Sequence, residues 1–358
     1  MKKIAFVLPP FSRNPIGGYK TVFQYANELV KRGYRVDLYY LSPLFLVGVE
    51  GVRTYRAVAK HLLLYDRWHH DLNWFILDSH INSFFMVTRK LKGQYDYIIA
   101  TSVQTAIFVN NLNSDNAKKF YYIQGYEKWL YKTNDIINKS FSSPMIKIVT
   151  AKWLQDLVFK KSGEPSRCIP NFIDFQTFFV ENSIEKRGHV ISLLNHTLPE
   201  KNFEFGLRVV EEVQKKIPDL RVLIFGIPRR PEKLPKFCSY IRAPSQTKLR
   251  TQVYNQSSIY LLPSKSEGWG LTGMEAMACG ATLVSSDIGG VEDYAVDGIS
   301  AKLLPVNDLD TFVETICDLI RNPSLRIKIG KTGAAAVRKF SLGNSTDLWE
   351  KSFLRKFN

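Results

Sequence analysis

A regular alternation of short apolar runs and longer amphipathic segments constrains the fold of this chain more than any other feature. Runs such as KIAFVLP and YRVDLYY are rich in β-branched and aromatic residues, which is typical of buried strands. The segment between them, YKTVFQYANELVKRG, has the periodicity of an amphipathic helix and ends at Gly33. Because a strand, a helix and a strand in this order form a βαβ unit, the sequence predicts an α/β protein with parallel, doubly wound sheets.

The alternation occurs in two series, separated by the segment CIPNFIDFQTF at residues 168–178, whose composition is typical of a linker. Further strands of the first series are predicted at 96–101, 118–124 and 147–151, and those of the second series in HVISLL, RVLIFG, IYLLPS and ATLVSS. A length of 358 residues also exceeds what a single hydrophobic core usually holds. We therefore expect two Rossmann-like domains, at residues 1–175 and 176–341, with a C-terminal helix at about 342–358 that packs back on the first domain.

The formal net charge of the chain is +16, and it is unevenly distributed. Residues 1–180 contain 24 Lys and Arg against 13 Asp and Glu, whereas residues 181–358 contain 25 against 20. Such an excess in the first half favours an anionic partner, which can be a nucleic acid, a membrane surface or a phosphorylated substrate. The sequence has no zinc-finger, RNP or helix-turn-helix signature, so we expect no nucleic acid and keep a basic nucleic-acid-binding protein as an alternative.

The location of the protein is predicted from what the sequence does not contain. The N-terminal apolar run ends at Pro9 and Pro10, which is too early for a signal peptide. No stretch approaches the roughly 18 to 20 apolar residues that a membrane-spanning helix needs. The four cysteines lie far apart without a CxxC pair, so neither a zinc site nor a disulfide framework is indicated. We expect a cytoplasmic protein with buried, unpaired cysteines.

The stretch SEGWGLTGMEAMACG, residues 266–280, lies between the predicted strands IYLLPS and ATLVSS. In open α/β sheets, ligands bind at the carboxyl ends of the strands. Gly268 and Gly270 allow the backbone to approach a ligand closely, and a helix is expected to begin near Leu271. Free amides and the helix dipole at Leu271 and Thr272 would favour a phosphate group. This segment is therefore a candidate diphosphate-binding site.

Two glutamates flank this candidate anion site. The sequence Thr272-Gly-Met-Glu275 matches a capping box, so Glu275 either stabilises the helix start or has a binding role. Glu267 has no such structural explanation, and a phosphate would repel its carboxylate. A carboxylate at this position is favourable if it accepts hydrogen bonds from neutral hydroxyl groups, which a sugar supplies.

The complete stretch resembles the donor-binding signature of the retaining GT-B glycosyltransferases of family 4. The resemblance rests on two glutamates separated by seven residues, on AMACG and on the following SSDIGGVEDYAVDG. It extends more weakly to PIGGY after the first strand, IPNFID at the domain crossing and EKNFEFGL in the second domain. The resemblance implies a GT-B fold, in which two doubly wound Rossmann-like domains face each other across a cleft.

The resemblance also implies a role for each matched residue. Glu267 would bind hydroxyls of the donor sugar, Glu275 the ribose, and Lys201 the diphosphate. The backbone from Trp269 to Thr272 would hold sugar and diphosphate, and the N-terminal glycines would face the same phosphates. The implied catalytic residues are Glu267 and Lys201, and the implied donor site comprises Gly17, Gly18, His196, Lys201, Glu267, Trp269, Gly270, Leu271, Thr272 and Glu275.

Two positions depart from the family pattern. His196 stands where the family usually has an arginine, so it either donates a hydrogen bond to the diphosphate or is merely a histidine at a strand end. Gln124 and Gly125 occupy the position at which many members have a histidine near the sugar. A side-chain base is therefore not indicated there.

The resemblance implies transfer of a sugar from a nucleotide-diphosphate donor to a saccharide acceptor, with retention of configuration. The stretches GGYKTVFQYANELVKRG and YYIQGYEKW further resemble rhamnosyltransferases of bacterial surface-polysaccharide pathways. We accordingly expect dTDP-rhamnose as the first candidate donor, ahead of a UDP- or GDP-sugar, and a saccharide or lipid-linked saccharide as acceptor. No cofactor or metal is expected, because amides and a lysine can stabilise the leaving diphosphate.

A predicted basic stripe suggests where the protein meets a membrane. Arg53, Arg56, Lys60 and Arg67 fall on one side of a helical wheel. An anionic membrane surface is an expected partner, with the protein peripheral on the inner face of the cell membrane, although a solvated helix face beside a core is the preferred single explanation of the stripe itself.

Three other interpretations compete with this one, and the epimerase stays open as an alternative. A sugar-nucleotide epimerase of GT-B type shares the architecture but not the glutamate motif. In a glycosidase, two carboxylates flank the scissile bond, whereas here they flank an anion site. The pair Asp308 and Asp310 resembles a metal-binding DxD motif, but it directly precedes the helical run TFVETICDLI, and we predict a helix cap instead.

Overall fold

The computed structural model describes residues 1–46, 56, 59, 74–114, 116–128 and 134–354. The chain divides into two compact units. The first comprises Met1–Asn171 and Leu342–Asn358, and the second comprises Phe172–Ser341. The predicted domain boundary at 175/176 lies four residues after the division at Asn171/Phe172, and the predicted return at 342 coincides with the start of the last segment of the first unit.

The first unit contains a seven-stranded sheet in which all neighbouring strands are parallel. Its strands are β1 (Lys3–Leu8), β2 (Arg35–Leu41), β3 (Asn82–Met86), β4 (Tyr97–Ala100), β5 (Lys118–Ile123), β6 (Ile146–Val149) and β7 (Ser166–Cys168), in the order β3-β2-β1-β4-β5-β6-β7. The order reverses between β1 and β4, which is the switch point of a doubly wound sheet. Both strands are buried throughout their central residues, as their continuous apolar runs predict.

The second unit contains a six-stranded sheet that is also parallel. Its strands are β8 (Val190–Asn195), β9 (Arg221–Gly226), β10 (Cys238–Arg242), β11 (Ile259–Leu262), β12 (Thr282–Ser286) and β13 (Lys302–Leu304), in the order β10-β9-β8-β11-β12-β13. This is the strand order of a Rossmann fold, with its switch point between β8 and β11. The predicted α/β class with two doubly wound, Rossmann-like sheets is confirmed.

Helices connect the strands of each unit. In the first unit they are Gly17–Lys31, Val103–Asn110, Asp135–Phe141, Lys152–Ser162 and Leu342–Leu354, with a 3-10 turn at Pro43–Phe45. In the second unit they are Phe203–Lys216, Gln246–Lys248, Leu271–Ala278, Gly289–Glu292, Leu309–Arg321 and Pro323–Ala336, with a π-helical turn at Leu249–Tyr254 and 3-10 turns at Ile184–Lys186, Pro199–Lys201 and Val337–Lys339. Among the described residues, no helix is both long enough and apolar enough to span a bilayer.

The last helix, Leu342–Leu354, packs in the first unit although the second unit precedes it in the chain. Trp349 is fully buried, and its ring makes edge contacts with the rings of Tyr25 and Tyr122. Arg32 donates hydrogen bonds to Asp347 at 2.6 Å and to Glu350 at 2.5 Å. The aromatic core and these ion pairs attach the end of the chain to its beginning.

Candidate functional site

The candidate site in the second unit lies at the switch point of its sheet. β8 and β11 are neighbours, and they end at Asn195 and Leu262. The loops that follow these two strands therefore leave the same edge of the sheet, where doubly wound proteins bind their ligands. The first loop contains His196 and Lys201, and the second contains Glu267, which follows Lys201 by 66 positions in the sequence.

Lys201 and Glu267 form a close ion pair. The Nζ atom of Lys201 donates to both carboxylate oxygens of Glu267, at 2.8 Å to Oε1 and 2.7 Å to Oε2. The Ser264 hydroxyl also donates to Oε1, at 2.8 Å. Glu267 is only 9% exposed, whereas the lysine side chain retains 25% exposure. A buried carboxylate is costly unless it is paired and hydrogen-bonded, and here both conditions are met.

Two hydrogen bonds to main-chain carbonyl groups fix the two loops against each other. Lys201 ends the 3-10 turn Pro199–Lys201, and Asn202 follows in the left-handed conformation with φ at 55°. The Asn202 side-chain amide donates to the Pro263 carbonyl at 2.9 Å, and the Lys265 amide donates to the Glu200 carbonyl at 2.8 Å. The position of the lysine relative to the glutamate thus depends on main-chain geometry as well as on the ion pair.

A helix begins beside this pair, as the sequence predicts. The helix Leu271–Ala278 has Gly270 as its N-cap residue, in the left-handed conformation with φ at 86°. A Cβ atom on Gly270 would lie 2.9 Å from the Tyr294 hydroxyl oxygen, so glycine is required there by space as well as by conformation. Leu271 and Thr272 are partly exposed and occupy the first two helical positions, whose N–H groups have no acceptor within the helix. These amides could bind an anion.

Trp269 supports the loop through its side chain. The residue is 2% exposed, its ring lies against those of Tyr294 and Phe340, and its Nε1 atom donates to the Met274 sulfur at 3.3 Å. The indole therefore belongs to the core. The side chain of Trp269 is therefore unavailable to a ligand, and the backbone role that the resemblance implies stays a prediction.

Glu275 is a buried residue in the interior of the helix. The capping-box alternative for this residue is wrong, because the N-cap is Gly270 and Thr272 already lies inside the helix. Instead, Glu275 Oε2 accepts a hydrogen bond from the Tyr254 hydroxyl at 3.1 Å. Burial and, second, the Glu275 charge raise the pKa of Tyr254 well above its usual value, so this hydroxyl keeps its proton. Helix capping, which was the alternative to ligand binding for Glu275, is therefore excluded.

His196 lies close to the Lys201–Glu267 pair. Burial lowers the pKa of His196, and the Lys201 charge lowers it further, while Glu267 opposes them. The neutral imidazole predominates at pH 7. Its Nδ1 atom accepts a hydrogen bond from the Leu198 amide at 3.0 Å, which assigns the remaining proton to Nε2. His196 can therefore donate a hydrogen bond, but it does not supply the positive charge of an arginine.

Gly17 and Gly18 belong to the first unit. They begin the helix Gly17–Lys31, and their backbone is exposed at Gly17 and partly exposed at Gly18. A Cβ atom on Gly18 would lie 3.3 Å from the side-chain amide of Gln124, so the glycine allows close contact between the helix start and that side chain.

Other predicted features have separate outcomes. Asp308 is the N-cap of the helix Leu309–Arg321 and accepts a hydrogen bond from the Thr311 amide at 3.1 Å, which confirms the predicted cap. Within the described ranges, no three His, Cys, Asp or Glu side chains are placed to hold a metal ion.

Three cysteines are buried, but Cys168 is only partly buried, contrary to expectation. Of the basic stripe, Arg56 is helical and exposed, whereas Arg53, Lys60 and Arg67 lie outside the described residues.

Comparison with known proteins identifies the class of enzyme. The family described as "Glycosyl transferases group 1" matches residues 174–336. An uncharacterised glycosyltransferase from Haemophilus influenzae is 23% identical over 98% of this chain and 99% of its own length. A D-inositol 3-phosphate glycosyltransferase from Mycolicibacterium smegmatis is 27% identical, over 39% of this chain and 35% of its own length. The chain is a glycosyltransferase.

A solved structure extends the similarity to the whole fold. TarM of S. aureus, crystallised as a mutant in complex with fondaparinux, α-GlcNAc-glycerol and UDP, superimposes with a TM-score of 0.75. The similarity covers 99% of the glycosyltransferase and all of the TarM chain, at 13% sequence identity. The fold of the glycosyltransferase is GT-B, and residues 174–336 carry its group 1 domain.

Sequence reasoning missed three residues that hold the site of the glycosyltransferase together. Ser264 and Tyr254 donate to Glu267 and Glu275, respectively. Gly290 supports the glutamate loop, because a Cβ atom there would lie 2.9 Å from the Glu267 carbonyl oxygen. Only Gly290 had a signal in the sequence, since it belongs to the SSDIGGVED segment that carries the resemblance.

Proposed function

We propose that the enzyme transfers a sugar from a nucleotide-diphosphate donor to a saccharide acceptor with retention of configuration. The observation that carries the proposal is the cluster of Lys201, Glu267 and the helix start at Leu271 on one edge of the second sheet. It combines the Lys201 ammonium group and the amides at the helix start, which suit a diphosphate, with the Glu267 carboxylate, which suits hydroxyl groups. A nucleotide sugar presents both kinds of group side by side.

The proposed residue roles follow from these contacts. On donor binding, Lys201 leaves Glu267 and contacts the diphosphate, and Glu267 then accepts hydrogen bonds from sugar hydroxyls. Glu275 binds the ribose, and His196 donates a hydrogen bond from Nε2 to the diphosphate. Gly17 and Gly18 offer backbone to the phosphates. The acceptor oxygen bonds to the anomeric carbon as the bond from that carbon to the diphosphate oxygen breaks, and the hydroxyl proton passes to this oxygen on the same face. Lys201 and the amides stabilise the growing negative charge without a metal.

The donor is tested by thermal shift with UDP, GDP and dTDP. A ligand at 100 times its dissociation constant stabilises the folded state by about 2.7 kcal/mol. The first candidate is dTDP-rhamnose, and the UDP bound to TarM makes a UDP-sugar the next.

The matching nucleotide sugars are then incubated with and without saccharide acceptors, in the presence of EDTA. Acceptor-dependent release of nucleotide supports the proposal, whereas isomerisation of the sugar without acceptor identifies an epimerase, and inhibition by EDTA rules out the metal-free mechanism.

The acceptor that we propose is lipid-linked, as in the synthesis of bacterial surface polysaccharides, with the enzyme peripheral on the cytoplasmic face of the membrane. The support is the excess of basic residues in positions 1–180, since each basic residue near an anionic leaflet contributes about 1 kcal/mol. Co-sedimentation with vesicles should increase with anionic lipid content and weaken with salt. Binding that is indifferent to anionic lipid at low ionic strength would exclude the membrane assignment.

A further inference from the structure

A second group of polar residues lies at the switch point of the first sheet. β1 and β4 are neighbours and end at Leu8 and Ala100, and β5, which pairs with β4, ends at Ile123. The segments after β4 and β5 therefore emerge at the edge of the sheet at which doubly wound proteins bind ligands. The residues of the second unit that are proposed to bind the sugar donor lie at the other sheet.

Two hydrogen bonds join these segments. The side chain of Glu127 accepts from the Val103 amide, the first residue of the helix Val103–Asn110, with 3.1 Å between Oε2 and N. The Gln124 amide donates to the Thr101 carbonyl at 3.4 Å. The side-chain amide of Gln124 lies 3.3 Å from where a Cβ atom on Gly18 would be. This amide is neutral at every pH and cannot act as a base. Among the described residues of these two segments, Glu127 is the carboxylate at this edge.

The surroundings of Glu127 suit a carboxylate that meets a ligand. The residue is partly exposed, and yet burial raises the pKa of its carboxyl group to about 7, against the opposing effect of the Val103 amide. From the helix Gly17–Lys31, Tyr19 faces it, and burial raises the pKa of Tyr19 well above its usual value, so this neighbour stays neutral. Lys128, the next residue, lies over the ring of Tyr126 with Nζ 5.1 Å from the centroid. The hydrogen bond from the Val103 amide is made to Oε2, and Oε1 is the second acceptor atom of the carboxyl group.

We propose that Glu127 is an acceptor-binding residue, whose carboxylate accepts a hydrogen bond from a hydroxyl group of the saccharide acceptor. The inference rests on the proposed function, because the acceptor supplies that hydroxyl. A neutral hydroxyl suits the site better than a phosphate, which a carboxylate repels. The bond to the Val103 amide holds the carboxyl group in place for this contact.

The test measures acceptor binding directly, without donor. A panel of p-nitrophenyl glycosides is titrated by NMR into the wild type, Glu127→Gln and Glu127→Ala, with Asp156→Asn as a control that removes an exposed carboxylate of the same unit. The glutamine can still accept from Val103, so the fold is kept. Loss of a charge-assisted hydrogen bond should weaken glycoside binding by roughly tenfold to a hundredfold in Glu127→Gln and leave Asp156→Asn unchanged.

Wild-type affinity should rise as the pH increases through about 7, since the carboxylate form is the stronger acceptor, and the glutamine variant should lack this rise.

The outcomes separate this inference from the proposed function. Unchanged glycoside binding in Glu127→Gln, or a wild type that binds none of the panel, overturns the role of Glu127. In that case, the carboxyl group only caps the helix Val103–Asn110, and Glu127→Ala loses stability alone. The thermal shift with nucleoside diphosphates involves the donor residues of the second unit, so its absence in every variant refutes the proposed function instead.

Discussion

At the scale of single residues, the pairing of Lys201 with Glu267 means that these two groups together contribute no net charge to the site. Both carboxylate oxygens contact the ammonium group, and Ser264 holds one of them in addition. A donor must therefore offer replacements to both partners, phosphate oxygens to the lysine and hydroxyls to the glutamate. Free phosphate supplies only the first kind of group, so the pair favours a ligand that carries both.

Replacing Lys201 by alanine removes the charge that would balance the leaving diphosphate. We expect kcat to fall by about 10² to 10³, because negative charge grows on that group during the reaction. The matched control is Lys265→Ala, an exposed lysine of the neighbouring loop whose side chain lies outside the cluster. Steady-state kinetics with the donor selected by thermal shift measures both variants. Equal rates for Lys201→Ala and the control would contradict the role of Lys201.

Glu275 is predicted to bind ribose, and its replacement by alanine tests ribose binding independently of phosphate binding. The variant should bind nucleoside diphosphate more weakly, by roughly tenfold or more for a lost hydrogen bond to a charged group. Its affinity for pyrophosphate, which has no ribose, should stay that of the wild type. Calorimetric titration of both ligands measures the difference. An unchanged dissociation constant for the nucleoside diphosphate would remove the ribose assignment and leave the bond with Tyr254 as the function of Glu275.

At the scale of secondary-structure elements, the strands that the sequence analysis predicted are the interior strands of the two sheets. Continuous apolar runs mark β1, β2, β4, β5, β6, β8, β9, β11 and β12. The strands that it missed, β3, β7, β10 and β13, are the edges of the two sheets. An edge strand has a neighbour on one side only, and these four are largely half-buried or exposed, so their sequences lack an uninterrupted apolar run.

The candidate site was predictable to the extent that its residues are adjacent in sequence. The helix start at Leu271 follows from a glycine-rich turn between two strands, and the structure has it there. The partners of the glutamates were not predictable in this way. Tyr254 and Glu275 lie 21 positions apart, and Lys201 and Glu267 lie 66 apart, so only tertiary packing brings them together.

A substitution next to the glutamate loop tests whether its position matters. A Cβ atom at Gly290 would lie 2.8 Å from the Gly268 carbonyl oxygen and 2.9 Å from that of Glu267, which is too close for backbone atoms. Gly290→Ala should displace the loop and lower kcat/KM by about 10²-fold if it moves the carboxylate by about 1 Å. Gly188→Ala is the control, since nothing lies within 4 Å of its added carbon. Wild-type kinetics in Gly290→Ala would contradict the need for a fixed loop.

At the scale of the whole molecule, the first unit depends on a helix that the chain reaches only at its end. Trp349 is fully buried among aromatic rings of that unit. Trp349→Ala should lower the free energy of unfolding by about 3 to 5 kcal/mol. The neighbouring Leu348 is 37% exposed, and Leu348→Ala should cost less than about 1 kcal/mol. Denaturant unfolding measures both, and similar values for the two variants would show that the helix contributes little to the first unit.

The position of the helix Leu342–Leu354 in the sequence also determines the order in which the two units can complete their folding during translation. Residues 172–341 form one continuous segment, whose ends meet where the Ile173 amide bonds to the Phe340 carbonyl at 2.9 Å. At about 5 to 20 residues per second, translation of this segment takes on the order of 10 to 30 s. Until it is finished, the aromatic pocket that receives Trp349 has no occupant and is a candidate surface for chaperones. The synthesis of the first unit thus begins before that of the second unit and is completed after it.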